Sequence, residues 1–156
     1  MITTAVVTGS FDPITVGHKD IVLRAAALFD RVVVLMGINA EKEYLFSEQT
    51  RIDAVRACFP DKKIRVACYD GYLFDYARRF GHPVFVRGIR GEADLAYETA
   101  LREENKKRSG IDTLFFPADP ALEAVSSTAV REYIAAGKAL TDLVPAEAIR
   151  ILEREL

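Results

Sequence analysis

Five short apolar runs alternate along the chain with longer stretches whose apolar residues recur at helical spacing. Residues 4–8 (TAVVT), 32–36 (VVVLM), 63–69, 83–87 (PVFVR) and 112–116 read as strands, because they are short and rich in β-branched and aromatic residues. Residues 17–29 carry Ile21, Val22, Ala25, Ala26, Leu28 and Phe29 with helical periodicity. Ser47 is placed to cap a second helix that runs to about Phe59 and stops at Pro60. Residues 71–80 read as a helix halted by Gly81, and 91–108 as a long charged helix with Gly110 in the glycine position just past its end. Two more helices are predicted over 127–137 and 145–155, the latter with Pro145 at its first position. Apolar strands alternating with helices predict an α/β class: a single-domain Rossmann-like fold with a five-stranded parallel sheet and helices on both faces. Such sheets bind ligands at the carboxyl ends of their strands, so chemistry is expected in the loops after Thr8, Met36, Tyr69, Arg87 and Phe116.

Composition narrows the classes. Half of the 156 residues are hydrophobic, enough for a core and unlike a disordered chain. The net charge of −2 gives no general reason to expect a nucleic-acid partner, and no basic stripe interleaved with aromatics is visible. Cys58 and Cys68 lack CxxC spacing and read as small buried hydrophobes; with only His18 and His82 beside them, a zinc site is not expected. The first ten residues have no basic segment followed by an apolar one, and no apolar run reaches membrane-spanning length, so the expected location is cytoplasmic.

The first loop, TGSFDPITVGH (8–18), lacks both GxGxxG and GxxxxGK[ST]. It offers the Ser10 and Thr15 hydroxyls and the pair Gly17-His18 where a helix begins, a place whose free N–H groups favour an anion. The bland alternative is a capped turn with a surface histidine. Beyond the second strand Lys42 stands as a cation in a loop, either a ligand or an ordinary surface lysine. After the fourth strand, Arg87 and Arg90 flank Gly88-Ile89, where guanidinium groups suit oxyanions as well as solvent. Glu98 could serve a site or pair with Arg102 one turn on. The run Val125-Ser126-Ser127-Thr128, followed by Arg131, supplies hydroxyls that either cap a helix or cradle phosphates.

Taken together these stretches resemble a known family. TGSFDPITVGH is similar to the GTFDPxTxGH signature of the nucleotidylyltransferase superfamily, with Thr15-Val16-Gly17-His18 as the TxGH form. That form, with Phe46-Ser47 and Arg51, Arg87-Gly88-Ile89-Arg90, Asp94 with Tyr97-Glu98, and Val125 to Thr128, resembles the bacterial phosphopantetheine adenylyltransferase family over nearly the whole chain. Ser10 stands where threonine is usual, Val16 and Leu95 replace a polar and an aromatic residue, and residues 119–124 are unlike the more aromatic family version.

The resemblance implies one nucleotidylyltransferase domain over residues 1–156 that moves AMP from ATP to 4′-phosphopantetheine, giving dephospho-coenzyme A and pyrophosphate without a covalent enzyme intermediate. It implies His18, Lys42 and Arg90 as catalytic residues, and ATP contacts from Ser10, Phe11, Gly17, His18, Gly88, Ile89, Arg90, Glu98, Val125, Ser126, Ser127 and Thr128. The acceptor would meet Ser10, Lys42, Leu73, Arg87, Leu101 and Asn105. Mg²⁺ would ride on the ATP phosphates rather than in a protein cage. A homohexamer, with coenzyme A as a feedback ligand, enters by resemblance alone. The residues leave two alternatives open: another transferase of the superfamily, using nicotinate mononucleotide or a sugar-alcohol phosphate, and a nucleotide-binding module without catalysis.

Overall fold

The apolar runs do form the sheet. A computed structural model describes residues 1–156. Its strands are β1 (Thr4–Gly9), β2 (Arg31–Ile38), β3 (Ile64–Asp70), β4 (Pro83–Ile89) and β5 (Thr113–Pro117). All pair in parallel in the order β3-β2-β1-β4-β5. From β1 the chain winds outward through β2 and β3, then returns to place β4 on the other side of β1. The carboxyl ends of β1 and β4 therefore diverge into loops on opposite faces, which opens a crevice between them.

The helices are α1 (Val16–Leu28), α2 (Glu48–Cys58), α3 (Leu73–Ala77), α4 (Glu92–Ser109), α5 (Ser127–Ala135) and α6 (Ala146–Glu153), with a 3₁₀ turn at Pro120–Leu122. Strand alternation divides the core. Ala5, Val7, Val32, Val34, Met36 and Val86 face one side, under Ile21, Val22, Ala25, Val55, Val130 and Leu152 of α1, α2, α5 and α6. Val6, Val33, Leu35 and Phe85 face the other, against Phe74, Tyr76, Ala77 and Ile111. Helix α4 buries only Glu98, so the second face is more thinly covered. No helix is long and apolar enough to cross a membrane.

Several local details depart from the sequence pattern. Leu28 shares the helical spacing of α1 but is 72% exposed: Ala25, Ala26 and Phe29 of the same turn pack on the core, and Leu28 falls at the edge of that apolar arc. Helix α3 holds only five residues: Arg79 and Phe80 donate their N–H groups three residues back, which turns the predicted second half into tight turns. Pro145 is the cap of α6 rather than its first residue. Ser47 does cap α2, its hydroxyl accepting from the Thr50 N–H, and Gly110 takes the left-handed conformation (φ 78°) that glycine adopts most easily. Both cysteines are free; Cys58 is buried, and burial pushes its thiol up to about 11.

Candidate active site

The loops after β1, β2, β4 and β5 converge on one cleft of about 490 Å³. That volume lies in the range of small-molecule sites. Ser10, Phe11, Gly17, His18, Lys42, Arg87, Gly88, Arg90, Glu98 and Val125 to Thr128 all line it. Of the residues the sequence singled out, four lie elsewhere. Ile89 ends β4 outside the cleft lining. Leu73 lies at the end of β2, close to Gly37. Leu101 and Asn105 border a small side crevice that shares Thr8, Arg87 and Glu98 with the main cleft.

His18 is the best-defined group. Thr15 caps α1, its hydroxyl accepting from the His18 N–H at 3.2 Å. In return the ring's Nδ1 accepts from the Thr15 N–H at 3.0 Å and lies 3.2 Å from Thr15 Oγ1. A nitrogen that accepts from a backbone N–H carries no proton, so the neutral ring has its proton on Nε2. Burial first, then the charges of Arg87 and Arg90, lower the His18 pKa to about 4. The ring is thus a neutral Nε2–H donor near pH 7. Phe11, itself buried and at φ 48°, holds that ring edge-on at 5.1 Å and packs beneath Gly9, where any Cβ would meet its ring at 3.1 Å.

On one side of the cleft Lys42 places its Nζ 3.4 Å from Ser10 Oγ. It has no carboxylate partner, and the backbone loop that carries it is tied down by Asp12. That carboxylate, 6% exposed, accepts from the Leu45 and Phe46 N–H groups at 2.8 and 3.0 Å.

The two arginines are not free. Arg87 forks onto Glu98 at 2.9 and 2.7 Å, and its third nitrogen donates to Thr8 O and Oγ1 at 2.8 and 3.2 Å. Arg90 is held by Asp94 through its Nε at 3.0 Å and its backbone N–H at 3.1 Å. The i,i+4 pairing of Glu98 with Arg102 does not form: Arg102 turns to Asp112 at 2.8 Å, because the first half of α4 packs against β4 and aims Glu98 inward. Across the cleft Ser126 caps α5, Ser127 Oγ donates to Pro13 O at 2.8 Å, and Thr128 Oγ1 accepts from Arg131 at 3.1 Å. Arg131 also donates to Asp12 O at 2.9 Å and meets no carboxylate.

Sequence reasoning offered the Thr15 hydroxyl and the motif position of Arg131 without a partner for either, and it assigned nothing to Asp12. Thr15 three residues before His18 was the readable signal, since a hydroxyl and a hydrogen-bonding side chain at that spacing form a reciprocal helix cap. As for a metal, Asp12, Asp94 and Glu98 each face protein donors, which leaves Glu43 as the cleft carboxylate without one. That donor set suits an ion carried in on phosphate groups.

A doubly wound parallel sheet with an anion-receptive cleft at its switch point, and a capped histidine facing that cleft, defines a nucleotide-handling α/β protein. Residues 6–133 match the model of the cytidylyltransferase-like family, and the chain belongs to that family. It is similar to phosphopantetheine adenylyltransferases: 40% identical to that of Bifidobacterium longum over 92% of this chain and 88% of the relative. The identity is 41% to the one from Kocuria rhizophila (97% and 98% covered), and 41% to the one from Porphyromonas gingivalis (90% and 93%).

Proposed function

We propose that this chain, acting as one nucleotidylyltransferase domain over residues 1–156, moves AMP from ATP to 4′-phosphopantetheine and releases dephospho-coenzyme A and pyrophosphate. One observation carries the chemistry: a neutral Nε2–H donor, fixed by a helix cap, lines the cleft together with the Ser10–Lys42 pair and with Arg90, Ser127 and Thr128. The names of the relatives supply the substrates.

The acceptor phosphate is already anionic, so no protein base is needed. Its oxygen attacks the α-phosphorus in line, the bond from the α-phosphorus to the bridging oxygen breaks, and pyrophosphate leaves with that electron pair. Catalysis then consists of positioning and charge stabilisation. Ser10, Lys42 and Arg87 hold the acceptor phosphate. His18 donates to the α-phosphoryl oxygens as charge develops there. Arg90, Ser127 and Thr128 hold the departing pyrophosphate, with Phe11, Gly17, Gly88, Glu98, Val125 and Ser126 forming the rest of the ATP side and Ile89 supporting it from behind the lining. Leu73, Leu101 and Asn105 flank the pantetheine arm. Mg²⁺ bound to the triphosphate supplies charge neutralisation. The enzyme works in the cytoplasm as a homohexamer, and coenzyme A occupies the same cleft as a feedback ligand. Exposed Leu95 and Tyr97 on α4 and Leu114 on β5 support assembly, since another copy would cover them.

The test is pyrophosphate release from ATP and Mg²⁺ with 4′-phosphopantetheine, run beside nicotinate mononucleotide and glycerol 3-phosphate. Release with phosphopantetheine alone is expected. Release with either other acceptor moves the specificity within the family, and ATP binding without release under any condition overturns catalysis.

A further inference from the structure

A buried arginine underlies the acceptor side and has no part in the mechanism above. Arg51, closing the first turn of α2, is 2% exposed and meets no carboxylate. Burying a guanidinium without a counter-charge is costly, so its hydrogen bonds must serve something an apolar side chain could not. Its Nε donates to Phe46 O at 3.2 Å and its NH1 to Ser10 O at 3.0 Å. Its guanidinium lies 3.8 Å from the centre of the Tyr44 ring, and the same ring carries Lys42 Nζ at 5.3 Å.

From these contacts we infer that Arg51 is a positioning residue that sets Ser10 and Lys42 in register for the acceptor phosphate. The inference rests on the proposed function for the identity of that acceptor. The fastening is two-signed. Arg51 grips carbonyl oxygens of the first and second loops, while Asp12 grips the N–H groups of Leu45 and Phe46. Charge-assisted bonds of both kinds leave the segment little freedom to slide. A lysine on a flexible stem gains most from such a fixed base, because reach and orientation decide how well it meets a phosphate. The Arg51 side chain bonds to Phe46 O and Ser10 O and to none of Arg90, Ser127 or Thr128, so its influence falls on the acceptor and not on ATP.

The experiment compares Arg51→Met, Arg51→Lys and Tyr44→Leu with the wild type by substrate kinetics and by amide hydrogen exchange of the ligand-free protein. In Arg51→Met the acceptor KM should rise about tenfold or more while the ATP KM stays within about twofold, and exchange at residues 42–47 should accelerate. Arg51→Lys should recover part of the loss by keeping the charge. Tyr44→Leu, at a partly exposed position, should shift the same two readings in the same direction, and it decides the matter if Arg51→Met does not fold. Equal rises in both KM values, or unchanged exchange across 42–47, would overturn the inference. Accelerated exchange in a protein whose wild type releases no pyrophosphate with phosphopantetheine would uphold the clasp and overturn the assigned acceptor instead.

Discussion

Exchanging His18 for asparagine or glutamine separates the two tasks of its ring. An asparagine oxygen falls near the place of Nδ1 and can still accept from the Thr15 N–H, but nothing replaces the Nε2 donor. A glutamine amide reaches the place of Nε2 and leaves the Thr15 N–H without its partner. His18→Asn should therefore stay near wild-type stability at neutral pH and lose about 10²- to 10³-fold in turnover, the scale set by removing one transition-state donor. His18→Gln should keep more turnover and lose about 1 kcal/mol, the worth of a helix cap. Acidification adds a third reading. The folded pKa of about 4 lies below the ordinary 6.5, so between those values the unfolded chain binds a proton that the folded one does not. Stability from this group is full above the unfolded value and declines as pH falls through the window, by up to about 2 kcal/mol on going from about pH 7.5 to about pH 5. Urea unfolding of wild type and His18→Asn at both pH values, with single-turnover pyrophosphate release and calorimetric ATP affinity, measures all three. Equal acid losses in the two proteins, or turnover and ATP affinity falling together in His18→Asn, would refute the reasoning.

Other expectations follow from the same contacts. Arg87→Met strands Glu98, whose side chain is 8% exposed, and should cost about 3 kcal/mol in urea unfolding. Adding Glu98→Gln should return part of that, and a single variant as stable as wild type would show the pair is not what holds α4 to β4. Lys42→Ala should raise the acceptor KM while leaving unfolding within about 0.5 kcal/mol, since the residue is exposed; an unchanged acceptor dependence removes it from the site. Gly88→Ala places a Cβ 3.1 Å from Ile21 Cγ1, between β4 and α1, and should lower stability by about 1 kcal/mol. A thermal midpoint equal to wild type would mean Ile21 has a free rotamer to retreat into.

Local chemistry alone made much of this protein readable. Short apolar runs rich in β-branched and aromatic residues gave away all five strands, and the helix caps at Ser47 and Gly110 sat where residue type demanded. The loops that carry His18, Lys42, Arg87 and the Ser126–Thr128 run could be named in advance because parallel sheets place ligands at strand carboxyl ends. Strand ends were less legible: β2 and β4 run on through Gly37 and Gly88, since pairing with Tyr69 and Phe116 rewards residues whose own propensity is weak.

The hidden part is the allocation of charge. Spacing along α4 offered Arg102 to Glu98, yet packing against β4 gave Glu98 to Arg87 and left Arg102 to Asp112. Arg51 read as one more motif residue until the fold buried it beneath Ser10 and Phe46. Elements, caps and loop order depend on neighbours a few residues apart, so the amino-acid sequence determined them by itself. Which cation is engaged, which is free and which nitrogen of His18 holds the proton depend on groups brought within hydrogen-bond distance from different elements. Those energies act over a few ångströms in space, whatever the separation along the chain, and only the tertiary structure decided them.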